Sequence, residues 1–307
     1  MTECARAFEE SARITGPAGR RTVEVPGARL SVADSPVDRE GLPPALYVHG
    51  LGGSAQNWDR LAAELAGTVA GEAVDLPGYG WSAPPDDGDL SVGALARTVV
   101  SYLEVSGRGP VHLFGNSLGG AVATRVAALR PDLVRTLTLV SPALPEVPPQ
   151  LSAFPTGLMA VPGVLRIFER MALGLAPEQR TEQLLRLCYG NPAAVPAAQR
   201  DLATEEYRRR MALPYASDVL VRTARGIVRA YAERGPEALW RQAERVTAPV
   251  LLVYGLRDRL VAYRMARRAA EAFRDSRLLV IPESGHVAMM EHPEQVARAV
   301  RELLAAE

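Results

Sequence analysis

A series of short apolar runs, alternating with amphipathic helical patterns, sets the strongest limit on how this chain can fold. The runs fall at residues 45–48, 69–74, 111–114, 136–140, 250–254 and 278–281. Most are rich in valine and leucine and, apart from Glu72, they carry no charge on either face. A strand has that character when helices cover both sides of a mostly parallel sheet. Helical patterns run over 91–104, with Ser91 as a candidate N-cap, and over 118–129, ending before Pro131. Two more fall late in the chain, at 265–273 and 294–304. This alternation predicts an α/β architecture, a mostly parallel central sheet flanked by helices. Ahead of it, 21–25 and 29–33 read as a hairpin turning at Pro26-Gly27.

The alternation stops after residue 140 and resumes near 248. Between them, 144–245 shows amphipathic helical patterns and proline breaks but no convincing strand. A helical block inserted between two strands of a sheet is expected to lie over the strand ends as a cap. The expected organisation is therefore a core in two parts, 1–143 and 246–307, with a helical cap or lid at 144–245. The cap offers Phe154, Leu158, Met159, Phe168, Met171, Tyr189, Met211 and Tyr215. Some of these would line an apolar acyl pocket, although apolar residues at helical spacing more often form a segment's own core.

The sharpest chemical signal is Gly115-Asn116-Ser117-Leu118-Gly119, which follows the run at 111–114 and opens the helical pattern at 118–129. Between a strand and a helix, G-x-S-x-G forms a nucleophile elbow. The tight turn lifts the Ser117 hydroxyl off the sheet, and its glycines let neighbouring backbone pass close by. The helix that follows points its positive end at any oxyanion that forms. A serine needs a base, and there are four histidines. His112 lies on the strand leading to Ser117 and should be buried. His49 ends a strand and opens a glycine loop, and His292 before Pro293 reads as a helix cap. His286 follows the last strand, at the carboxyl ends where open α/β sheets bind ligands. Asp258 is the first carboxylate after the strand at 250–254. An oxyanion hole takes two backbone N–H groups. Leu118, after the nucleophile, supplies one, and Leu51 in His49-Gly50-Leu51-Gly52-Gly53-Ser54 is the candidate for the other. Asp75 reads as a structural turn aspartate.

Composition removes competing chemistries. All 35 basic residues are arginine, so there is no lysine for a Schiff base or a phosphate loop. Net charge is zero, with 35 acidic residues, which argues against electrostatic attraction to nucleic acid or acidic membranes. Cys4 and Cys188 form neither a CxxC nor a zinc spacing. The first 20 residues carry charges throughout and lack the apolar core of a signal peptide. Prolines 148, 149, 155 and 162 interrupt the longest uncharged stretch, 147–165. These features predict a soluble cytoplasmic protein with no integral membrane segment, acting on a small molecule and using no metal or organic cofactor.

The chain resembles the α/β-hydrolase superfamily, in the capped branch that holds small esterases, haloperoxidase-like enzymes and carbon–carbon bond hydrolases. The resemblance rests on four stretches: His49-Gly50-Leu51-Gly52-Gly53, Asp75-Leu76-Pro77-Gly78-Tyr79-Gly80, Gly115-Asn116-Ser117-Leu118-Gly119-Gly120, and Gly285-His286 with Glu291-His292-Pro293. It covers about residues 20–144 and 246–307. It implies a triad of Ser117, Asp258 and His286, in the chain order such enzymes use. The nucleophile is serine, where epoxide hydrolases and haloalkane dehalogenases of this fold carry aspartate. Asn116 is shared with carbon–carbon hydrolases, whereas Gly52-Gly53-Ser54 and Val287 depart from their usual pattern. The expected function is hydrolysis of a carboxylic ester with a small or medium, apolar acyl part, through an acyl-enzyme on Ser117. Carbon–carbon bond hydrolysis and acyl transfer on the same triad stay open, as does a ligand-binding protein that has lost turnover.

Overall fold

The computed structural model describes residues 19–38, 40–146 and 175–306. The N-terminal segment with Cys4, the stretch 147–165, and Phe154, Leu158, Met159, Phe168 and Met171 lie outside the described residues. The chain begins with an antiparallel hairpin, β1 (Arg20–Val25) and β2 (Ala28–Asp34), then enters the sheet with β3 (Pro44–Val48). After the short helix α1 (Asp59–Glu64) come β4 (Ala70–Val74), α2 (Val92–Ser106), β5 (Val111–Asn116), α3 (Leu118–Leu129) and β6 (Val134–Val140). Four helices follow with no strand among the described residues: α4 (Pro177–Cys188), α5 (Ala197–Met211), α6 (Ala216–Ala232) and α7 (Leu239–Ala243). The sheet resumes with β7 (Val250–Gly255), α8 (Met265–Ala272), β8 (Ser276–Ile281), α9 (Ala288–Glu291) and α10 (Pro293–Leu304).

The strands form one eight-stranded sheet in the order β1-β2-β4-β3-β5-β6-β7-β8. β2 pairs antiparallel with β1 and β4, and the rest of the sheet is parallel. Every residue of β5 and β7 is buried, as runs apolar on both faces require. Two apolar clusters divide the faces. One holds α2 and α3 with Leu46, Leu113 and Leu252; the other holds α1 and α10 with Tyr47, Phe114 and Val253. Neighbouring residues of one strand thus fall into opposite clusters, as the period of two dictates.

β8 departs from the expectation of burial on both faces. It closes one edge of the sheet, and Leu278 is 41% exposed. Helix ends follow the sequence more closely. The Ser91 hydroxyl accepts the Ala94 N–H, capping α2, and Gly107 ends that helix at φ 61°. His292 takes the N-cap position of α10, but its side chain makes no capping bond; Pro293 supplies the start signal instead.

The connectivity creates the site. β4 and β5 flank β3, so the chain reverses direction across the sheet between them, and the loops after β3 and β5 diverge. The crevice between such loops is where open α/β sheets bind ligands. Val48 pairs with Gly115 at the strand ends, which brings the His49 loop against the Ser117 turn. No helix among the described residues is long and apolar enough to cross a membrane.

Candidate active site

Ser117 joins β5 to α3 at φ 53° and ψ −115°, one of two non-glycine residues with positive φ among those described. That conformation costs about 1–3 kcal/mol and persists only where its surroundings over-determine it. Here they do. The Ser117 N–H donates to Val140 O at 3.1 Å, and its carbonyl accepts the N–H groups of Ala121 at 3.1 Å and Ala143 at 2.8 Å. The glycines are needed for close approach. A Cβ on Gly119 would lie 2.1 Å from Val48 O, and one on Gly115 would lie 2.4 Å from Gly119 O. The helix can start directly beneath the serine because both positions lack a side chain.

Asp258 and His286 meet where the loops after β7 and β8 converge. His286 Nδ1 lies 2.9 Å from Asp258 Oδ2 and 3.2 Å from Oδ1. A neutral imidazole donating Nδ1–H to the carboxylate keeps Nε2 as an acceptor. Asp258 is itself fixed, because its Oδ1 accepts the N–H groups of Leu260 at 2.8 Å and Val261 at 3.0 Å. Both partners are buried. Burial alone would raise the Asp258 carboxyl. The adjacent His286 ring, through its charge and hydrogen bond, outweighs that together with the Val261 and Leu260 N–H groups. The carboxyl stays below its ordinary value.

Ser117 reaches this pair through its neighbour. Asn116 Nδ2 donates to Val140 O at 3.0 Å and to His286 O at 3.1 Å, tying the elbow to the histidine loop. On the other side, a Cβ on Gly50 would sit 3.2 Å from Ser117 Cβ, so the His49 loop lies directly against Ser117. Leu118 is the first residue of α3, and its N–H therefore has no acceptor within the helix. The Leu51 N–H has no backbone acceptor among the described residues. Both candidate oxyanion donors thus have capacity to spare.

The other histidines are occupied or distant in role. His49 accepts the Leu76 N–H at Nε2, 2.9 Å, and its Nδ1 contacts Gly50 O at 2.8 Å, so both nitrogens are used. Burial pushes its pKa down and keeps it neutral, the nearby Asp75 notwithstanding. His112 is buried, with Nδ1 2.9 Å from Thr136 Oγ1. Asp75 accepts the N–H groups of Ala55 at 2.7 Å and Trp81 at 2.9 Å and pairs with Arg20, in keeping with its structural reading.

Sequence reasoning missed the groups that hold the histidine loop. Glu291 accepts the Gly285 N–H at 2.7 Å and the Gly190 N–H at 2.8 Å, and the His286 N–H donates to Cys188 O at 2.7 Å. Of the described cap candidates, Tyr189 and Tyr215 are buried and Met211 is exposed. Arg210 donates to Gly52 O, and Arg209 to Gly80 O at 2.8 Å, so α5 touches both the loop after β3 and the turn after β4.

A family model described as alpha/beta hydrolase fold matches residues 43–293. The chain is 31% identical over 267 residues to the dihydrolipoyllysine-residue acetyltransferase component of an acetoin cleaving system from Pseudomonas putida. That match covers 84% of this chain and 62% of the relative, so the chain spans less than two thirds of that protein's length. It is 28% identical to the pimeloyl-acyl-carrier-protein methyl ester esterase of Chromobacterium violaceum, over 85% of this chain and 94% of the relative. A solved meta-cleavage product hydrolase from Pseudomonas fluorescens shares the fold with a TM-score of 0.74 at 17% identity, covering 93% of this chain and 97% of that one. The family match runs from β3 to the start of α10 and encloses Ser117, Asp258 and His286; the chain belongs to the alpha/beta hydrolase fold family.

Proposed function

We propose that this chain is a serine esterase that cleaves a carboxylic ester with a small or medium, apolar acyl part. The observation that carries the reading is the strained Ser117 at the head of α3 beside a buried His286–Asp258 pair. In the first step Ser117 Oγ attacks the ester carbonyl while His286 Nε2 takes its proton. Asp258 holds the imidazole by Nδ1 and stabilises the imidazolium. The N–H groups of Leu51 and Leu118 bind the oxyanion. Collapse of the tetrahedral intermediate expels the alcohol, which receives the proton from His286 and leaves an acyl-enzyme. Water then attacks, with His286 again as base, and releases the acid.

The methyl ester esterase relative supports ester cleavage. In this reading the insertion at 144–245 serves as the cap, its described helices α4 to α7 standing beside the site. Leu220 of α6 lies 3.7 Å from where a Gly52 Cβ would be, giving the oxyanion loop an apolar neighbour. Asn116 favours no other chemistry, because its amide N–H groups are spent on two backbone carbonyls. The test is a panel of p-nitrophenyl esters of rising chain length, run beside a vinylogous 1,5-diketone, with fluorophosphonate labelling of Ser117. Ester turnover with labelling is expected. Diketone cleavage with inert esters overturns the reading, and absence of labelling points to a binding protein.

A further inference from the structure

Glu291 ends α9, five residues after His286, and spends its carboxylate on two segments about 100 residues apart in sequence. Oε1 accepts the Gly285 N–H at 2.7 Å and the Ser284 hydroxyl at 3.3 Å. Oε2 accepts the Gly190 N–H at 2.8 Å and the Asn191 N–H at 3.4 Å. No arginine or histidine nitrogen lies within ion-pair distance of it among the described residues. At contact distance the carboxylate is therefore met by local N–H and O–H groups, an arrangement that fixes backbone rather than neutralising a neighbour.

The two segments also interlock without the carboxylate. The His286 N–H donates to Cys188 O. A Cβ on Gly190 would lie 2.1 Å from Glu283 O, and one on Gly285 would lie 2.5 Å from Cys188 O. The residues just before His286 are thus wedged against the end of α4, which belongs to the helical insertion. Asp258 sets the imidazole's rotation, but nothing in the Asp258 contact fixes the height of the loop that carries the ring. On the core side Asn116 Nδ2 and the Arg257 N–H hold the carbonyls of His286 and Ser284, and on the insertion side the Cys188 carbonyl and the Glu291 bridge complete the support.

We propose that Glu291 is a positioning residue for His286, and that it locks the histidine loop to residues 188–191 of the insertion so that the base stays within reach of Ser117. The proposal rests on His286 being the base.

The test is Glu291→Gln in the full-length protein. The substitution keeps the shape but turns one acceptor into a donor facing an N–H group, so one arm of the bridge opens. A shift of about 1 Å in a reacting group costs on the order of 10²-fold in rate. The expected result is a kcat loss of about 10- to 100-fold with KM changed by less than about threefold, since Glu291 touches loop backbone and not substrate. Amide hydrogen exchange should lose protection at 284–287 and 188–191 while the sheet keeps its own. If Glu291→Gln does not fold, Glu291→Asp carries the test. It keeps the charge but is one methylene too short to reach both segments, and the same split is expected. A folded variant that keeps wild-type kcat overturns the proposal, as does a kcat loss accompanied by lost protection throughout the chain. Failure of the underlying reading shows separately: His286→Ala would then retain turnover, whereas the exchange measurement needs no chemistry.

Discussion

Alanine at position 117 removes an oxygen and nothing else, because the φ of 53° is held by backbone bonds to Val140, Ala121 and Ala143. Ser117→Ala is therefore expected to fold with wild-type thermal stability and to lose on the order of 10⁴-fold or more in kcat. A folded variant with substantial ester turnover would rule out the elbow as the nucleophile site. The pH dependence follows from the same three residues. Asp258 is held below the ordinary carboxylate value, so it stays charged down through mild acid. Between neutral pH and the ordinary carboxylate range, no loss of activity should therefore arise from Asp258. Two superimposed ionisations in kcat/KM would contradict a permanently charged Asp258. The sign for stability also follows. A depressed carboxyl contributes stability above its unfolded value of about 3.9, and that contribution is lost as pH falls through the folded one. Unfolding midpoints measured from neutral pH down to about 4 should thus retain most of the carboxylate's contribution. The candidate triad was legible because each member sits at the carboxyl end of a strand, where sequence order and position agree. Glu291 was not. Its role depends on Gly190 and Gly285 being neighbours in space, and no periodicity links those positions.

At the scale of elements, strands β3, β5, β6 and β7 were readable from short runs rich in valine and leucine, β4 from a run of small residues broken by Glu72, and α3 from its start after the elbow. The exposure of β8 was not readable, since strand order in the sheet has no local signature. Nor was α9, a single turn separated from α10 by His292 alone, or the fit of one glycine against another. That fit yields a test. Gly190 does not have positive φ, so alanine there is not strained by its backbone, yet its Cβ would meet Glu283 O at 2.1 Å. Forcing the two segments apart should cost about 1–3 kcal/mol, as overpacking does. Gly190→Ala is expected to unfold earlier and to turn over ester more slowly, with the rate loss exceeding any change in KM. Gly27 at the hairpin has open space around it and should tolerate alanine with full activity, its left-handed φ of 76° costing some stability. Equal losses of activity at the two positions would remove the special standing of the contact at 190.

The whole molecule raises the question of whether residues 144–245 can be detached. Helices α4 to α7 lie between β6 and β7 in sequence, where a cap is expected, and they carry none of the proposed triad. Yet they share the core's packing. Tyr215, Val219, Ala230, Leu239 and Ala243 belong to the same buried cluster as Leu95, Val122 and Leu252. They also support the site at three loops: Cys188 O and Gly190 N–H hold the histidine loop, Arg210 reaches Gly52 O, and Arg209 reaches Gly80 O. A cap that only supplied wall to the cleft would change KM and chain-length preference when removed and would leave kcat intact. Here, replacement of 144–245 by a short linker should instead collapse kcat for every ester in a chain-length panel, even in molecules that remain soluble. Aggregation from the exposed apolar face is a competing outcome. The comparison is therefore best made with a paired variant, Arg209→Ala with Arg210→Ala, which loosens the α5 contacts while leaving the Cys188–Gly190 contact in place. That variant should also lower kcat, through the loosened candidate oxyanion loop, but should keep amide-exchange protection at 284–287 and 188–191, because it frees that loop and the turn after β4 but not His286. A soluble truncated enzyme with wild-type kcat and an altered KM would show that the histidine loop stands on the core alone.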